Sequence, residues 1–179
     1  MNLELIDRIE KSSAHTQNRI ENANFILENS DLLPDLIRFS FEVENKLHLR
    51  GCCILEKVFE MQIELSFPYL DAICNDLKLL KNDSAIRSIS RFVMFLVQEN
   101  AKDTILNTTQ MEQITEASFN WLIGDYRVAV KHHAVYTLIE TGKKIDWVYP
   151  ELKNILEKEI EFPSPGYRNI VRKFLKMIK

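Results

Sequence analysis

Six basic residues stand out by their spacing. Arg87 and Arg91, Arg127 and Lys131, and Arg168 and Arg172 form three pairs four residues apart, and residues four apart share one face of a helix. Rows of such cations recognise carboxylates and phosphates, so these six are the candidate binding ridge of the chain. The competing use is structural, with the same side chains capping carbonyls or pairing with Asp83, Asp125 and nearby glutamates. A second series has the opposite sign: Glu56, Glu60 and Glu64 lie at i, i+4 and i+8. Paired carboxylates do acid–base work when a desolvating pocket raises one pKa. A solvated helix face explains the strip more simply.

Nucleophilic and metal-ligating side chains are sparse. His48 stands four residues before Cys52, a spacing that turns two ligands to one side of a helix, but no third or fourth ligand is near. Cys52, Cys53 and Cys74 are odd in number and lack a framework spacing, so they read as free buried thiols. His132 and His133 are adjacent, and neighbours on a helix diverge by about 100° and cannot converge on one atom. One of the pair is expected to be partly buried and the other solvated. Trp121 and Trp147 are expected to fill seams between helices, with stacking on a ligand the less favoured use. No catalytic, metal-binding or cofactor-binding residue is assigned, and no cofactor is expected.

The bulk composition narrows the field. The chain has four glycines in 179 residues, well below the usual content of about 7%. Gly51, Gly124, Gly142 and Gly166 are too far apart for G-x-G-x-x-G or G-x-x-x-x-G-K-[ST], which excludes Rossmann and P-loop nucleotide sites. Turn-rich β architectures are disfavoured on the same ground. The net charge is −3 and the pI is near 5.9, without the overall basic balance of a non-specific nucleic-acid binder. The charge is polarised, at +4 over residues 161–179 and −7 over residues 1–160. No apolar run approaches the roughly 20 residues that span a bilayer. The opening Met1-Asn2-Leu3-Glu4-Leu5-Ile6-Asp7-Arg8 has no basic region ahead of an apolar stretch, so the expected setting is cytoplasmic, without a membrane partner.

Helices must position these residues. Leu70, Ile73, Cys74 and Leu77 follow the helical stripe, as do Ile86, Ile89, Val93 and Leu96, and Tyr167, Ile170, Val171, Phe174, Leu175 and Ile178. Pro34, Pro68 and Pro150 each precede an apolar-periodic run, where the missing N–H costs nothing. Asp83 or Ser84, Asp125 and Ser164 are expected to supply N-cap oxygens. Thr109 with Glu112 reads as a capping box, after a longer loop from Asn100 to Gln110.

The breaks recur. Arg50, Arg87, Arg127 and Arg168 each follow a turn, at intervals of 37, 40 and 41 residues. A period near 40 with two helices per period is the size of HEAT and armadillo units. The expected fold is all-α, a right-handed α-solenoid over residues 1–179. It comprises an N-terminal capping helix pair (1–30; Leu3 to Lys11 and Gln17 to Glu28) and about four repeats at 31–64, 67–99, 108–141 and 147–179.

Asp83-Ser84-Ala85-Ile86-Arg87 resembles the HEAT pattern, in which the aspartate and arginine form ladders between neighbouring turns. By that resemblance Asp83 and Arg87 are structural. As a group, R-G-C-C-I-L-E-K-V from Arg50, F-P-Y-L-D from Phe67, D-S-A-I-R from Asp83, I-T-E-A-S-F-N-W-L-I-G-D from Ile114 and G-K-K-I-D-W-V-Y-P-E-L-K from Gly142 resemble a set of short bacterial HEAT-like proteins often labelled adenylosuccinate lyase. Enzymes of that lyase superfamily are more than twice this length and carry a catalytic serine in S-S-x-M-P-x-K-x-N-P. Ser12-Ser13-Ala14-His15 is only an echo of it. The resemblance implies a non-catalytic scaffold or adaptor whose concave groove, bordered by the basic ridge, takes a protein segment or another acidic partner. The alternatives are a nucleic-acid role of the HEAT-like DNA glycosylase type and the lyase activity itself.

Overall fold

The structure, a computed structural model, describes residues 2–13, 15–158 and 164–178. Residues 159–163, within the expected repeat 147–179, and Ala14 of the serine echo lie outside the described residues. Among the described residues there are ten α-helices and no strand. They are α1 (Leu3–Lys11), α2 (Thr16–Glu28), α3 (Leu33–Phe41), α4 (His48–Met61), α5 (Leu70–Asp76), α6 (Asp83–Lys102), α7 (Thr108–Ile123), α8 (Val128–Thr141), α9 (Val148–Lys158) and α10 (Pro165–Met177). Short 3-10 stretches at Ser30–Leu32, Ile63–Tyr69 and Leu77–Leu79 connect some of them. The chain divides into two compact units, Met1–Phe92 and Val93–Lys179. The division falls inside α6 and inside the expected repeat 67–99.

In the first unit α4 is the hub, with α1, α2 and α3 all packed on it. Its buried Ile54, Leu55, Val58 and Phe59 meet a core that includes Leu5, Ile9, Ile26, Leu36 and Phe92. The Phe59 and Phe92 rings lie 4.7 Å apart between centroids. Gly51 sits inside α4 because α3 passes very close: a Cβ there would stand 2.9 Å from Ser40 Oγ. In the second unit α8 plays the corresponding part, packed against α7, α9 and α10. Its Val130, Val135 and Leu138 are buried with Ile114, Trp121, Leu152, Tyr167 and Phe174.

Helix starts follow the sequence in some places and depart from it in others. Pro34 lies in the first turn of α3, Pro165 opens α10, and Ser164 Oγ accepts from Tyr167 N at 3.2 Å. Pro68 lies inside a 3-10 stretch. Asp125 does not cap α8, whose N-cap is Arg127. At α6 the capping oxygen belongs to Asn82, which accepts from Ser84 N at 2.9 Å. The capping box of α7 is Asn107 with Gln110, two residues ahead of the Thr109–Glu112 reading. The side-chain amide wins there because Asn107 reaches the Gln110 N–H at 2.9 Å while Gln110 reaches back to the Asn107 N–H at 3.0 Å. The expected loop from Asn100 to Gln110 is therefore shorter, since α6 runs on to Lys102 and α7 begins at Thr108.

Candidate functional site

The acidic strip is the first feature that the fold rearranges. Glu56 is not solvated; it is 3% exposed. Arg19 of α2 donates to Glu56 Oε2, and Arg91 Nη1 of α6 donates to Oε1 at 2.6 Å. The other nitrogen of the Arg91 fork reaches Glu60 Oε1 at 2.8 Å, and Lys57 holds the second Glu60 oxygen at 3.0 Å. Burial pushes the Glu56 carboxyl up, against the pull of Arg19 and Arg91. Glu64 is exposed and lies beyond α4 in a 3-10 stretch. A buried carboxylate clamped by two guanidiniums has no open face for a substrate proton, so the strip joins three helices.

This network also involves the candidate ridge, because Arg91 is one of its six members. Arg87 is exposed on α6; Arg127 stands at the N-cap position of α8 without a side-chain capping bond and is exposed; Lys131 is half-buried; Arg168 and Arg172 are exposed on α10. Arg87 and Arg91 belong to the first unit, the other four to the second.

His48 and Cys52 do come together, with Nδ1 3.8 Å from Sγ. Both face the carbonyl of Ser40, to which Nδ1 donates at 2.7 Å and the thiol at 3.2 Å. Burial pushes the Cys52 and Cys74 thiols up, Cys74 to about 12, which leaves neither as a thiolate ligand or nucleophile. His132 and His133 are both half-buried and meet edge to face, 6.1 Å apart. Among the described residues no group of three or more His, Cys, Asp or Glu is placed to hold a metal ion.

The tryptophans separate. Trp121 is buried, but Trp147 is 53% exposed and stacks on Phe119, with centroids 5.4 Å apart and planes inclined by 23°. The stacked rings belong to a groove of about 590 Å3 between α7 and the start of α9. Ile123, 64% exposed, and Ile155 extend its apolar floor, and Glu112, Glu116 and Glu151 edge it. The sequence held a signal for this groove. Glu112, Glu116, Phe119 and Ile123 follow i, i+4, i+7 and i+11, while Trp147, Glu151 and Ile155 follow i, i+4 and i+8. On α7 this face lies opposite the buried Ile114, Ala117 and Trp121, and on α9 it lies about 100° round from the buried Val148, Leu152 and Leu156. Exposed aromatic and branched side chains in one patch mark a binding surface.

Compared with family models, with curated proteins and with solved structures, the chain matches none. Among the described residues no helix is long and apolar enough to cross a membrane.

Proposed function

We propose that the chain is a non-catalytic binding scaffold built from HEAT-like helix pairs, and that the α7–α9 groove is its working surface. The repeat reading draws on the period near 40 residues and on the packing of α3 with α4 and of α7 with α8 across short connectors. The observation that carries the binding reading is the exposed Phe119–Trp147 stack among Glu112, Glu116 and Glu151. An apolar floor with a carboxylate rim complements an amphipathic helix that places apolar side chains inward and lysines or arginines at its margins. The occupant is therefore a basic amphipathic segment of a partner protein. This differs from the acidic partner expected from the arginine pairs, because one of those arginines is clamped by Glu56 and Glu60 and the apolar surface lies beside carboxylates instead.

Trp147 supplies the readout. A synthetic helix of leucine and lysine should shift or quench its fluorescence on titration, with an affinity that falls as salt rises. Phe119→Ala combined with Ile123→Ser, which keeps the Trp147 reporter, should abolish binding, and Glu116→Lys should weaken it. Unchanged Trp147 emission at low salt, or equal binding by the variants, overturns the reading.

A further inference from the structure

The first unit holds a second pocket of about 590 Å3, made by the α3–α4 connector, the first turn of α4 and the segment leading into α6. No side chain caps that first turn of α4; the His48 N–H donates to the Asn45 carbonyl at 3.0 Å, and the N–H groups of Leu49 and Arg50 remain, donors that at a helix start favour an anion. The turn alone would be an ordinary helix end. His48, its first residue, makes it more. It lines the pocket, is 3% exposed, and has Nδ1 committed to the Ser40 carbonyl. A carbonyl only accepts, so Nδ1 carries the proton of that bond. Nε2 is buried with no hydrogen-bond partner, an arrangement that native structures rarely leave unfilled.

Charge around the pocket points the same way. Lys46, Lys78 and Lys81 line it, with Glu44 as the carboxylate in the lining. Lys46 pairs with Glu10. Lys78 donates to the neutral amide oxygen of Asn75 at 3.3 Å, and among the described residues neither Lys78 nor Lys81 is paired with a carboxylate. The wall also carries exposed apolar residues, Val43, Leu49 and Leu79.

We propose that this pocket binds a phosphate monoester bearing an apolar group. The phosphoryl oxygens take the free N–H groups of α4 and the charges of Lys78 and Lys81. His48 Nε2 accepts from the P–OH of the monoanion. Val43, Leu49 and Leu79 cover the apolar part. The ester is held and not cleaved. This site is independent of the α7–α9 groove and stands or falls without it.

Calorimetric titration of the full chain with hexyl phosphate, with inorganic phosphate beside it, tests the proposal. Hexyl phosphate should bind at least about tenfold more tightly than inorganic phosphate, and the nitrogen resonance of His48 Nε2 should move on binding. Lys78→Gln with Lys81→Gln, both on exposed side chains, should weaken hexyl phosphate by about tenfold or more with the thermal melt unchanged. Vesicles of phosphatidylcholine with and without phosphatidic acid separate the sources. Binding that requires phosphatidic acid and is lost in the double variant supports the site with a lipid headgroup as its source. Hexyl phosphate binding without vesicle binding supports it with a soluble ester. No heat with hexyl phosphate at millimolar concentration, or equal binding by the lysine variant, overturns the proposal.

Discussion

Arg91 Nη1 stands 2.6 Å from Glu56 Oε1 while the carboxylate itself is almost completely buried. Removing two charges from water offsets most of their attraction. Burial raises the Glu56 carboxyl above its ordinary value of 4.5, so the folded chain ionises Glu56 less readily than the unfolded chain does. Its contribution is full below the ordinary value and is lost as pH rises through the raised one. Glu56→Gln should therefore lie within about 1 kcal/mol of wild type at pH 5 and gain on it toward pH 8, as read from urea unfolding at the two pH values. Arg19→Met with Arg91→Met leaves the carboxylate buried without either cation, and should cost about 3–5 kcal/mol.

Glu60, one turn further along α4, carries the opposite sign. Burial works against its charge, but the Lys57 hydrogen bond and the charges of Arg91, Lys57 and Arg19 together hold its carboxyl below the ordinary value. The stability it contributes is present above the unfolded pKa and is lost as pH falls through the folded one. Between pH 5 and pH 3 the melting temperature of Glu60→Gln should fall less steeply than that of wild type. Parallel acid limbs would show that the Lys57–Glu60–Arg91 pairing adds nothing.

The same two glutamates show where sequence reading stops. Helices with a local cause were legible: α3 from Pro34, and α10 from Ser164 and the run Tyr167, Val171 and Phe174, while α1 has the bounds expected for the first helix of the capping pair, Leu3–Lys11. Glu56 was not, because its partners stand 37 and 35 residues away, and i, i+4 spacing carries no information on whether a face meets water or another helix. The α7–α9 groove was hidden for a related reason. Each half is a periodic face, yet only the approach of Trp147 to Phe119 turns two faces into one surface. Asp125 had the chemistry of a cap, but the cap position fell to Arg127 at the start of α8.

The α3–α4 crossing offers a paired test. An alanine inside a helix is favoured over glycine by about 1 kcal/mol, but at Gly51 its Cβ would press on Ser40 Oγ at 2.9 Å. Gly51→Ala should destabilise the chain by about 1–3 kcal/mol. With Ser40→Ala in addition, the next neighbour is at 3.4 Å, and the double variant should recover most of the loss. Denaturant midpoints of the two singles and the double measure the coupling; simple additivity would mean that the helices do not meet at this point.

At the start of α7 the reciprocal bonds of Asn107 and Gln110 fix the cap. Asn107→Ala should cost about 1 kcal/mol, while Thr109→Ala should have a much smaller effect. Calorimetric melts of the two variants distinguish them, and a larger loss at Thr109 would move the cap two residues along.

Among the described residues no backbone φ is positive, glycines included. Three of the four glycines are thus kept by their neighbours and not by any need for left-handed backbone: Ser40 limits position 51, Tyr126 position 124 and Tyr149 position 142, while nothing lies within 4 Å of a Cβ at position 166. As this sequence drifts, each of the first three glycines should change only when its named side-chain partner shrinks or turns aside, and positions 124 and 142 must also ease past the Asn120 and Leu138 carbonyls, 3.0 Å from the added Cβ. Position 166 is bound by no such pact and is free to wander. The scarcity of glycine therefore becomes a forecast of covariation, with three coupled pairs and one site open to any side chain.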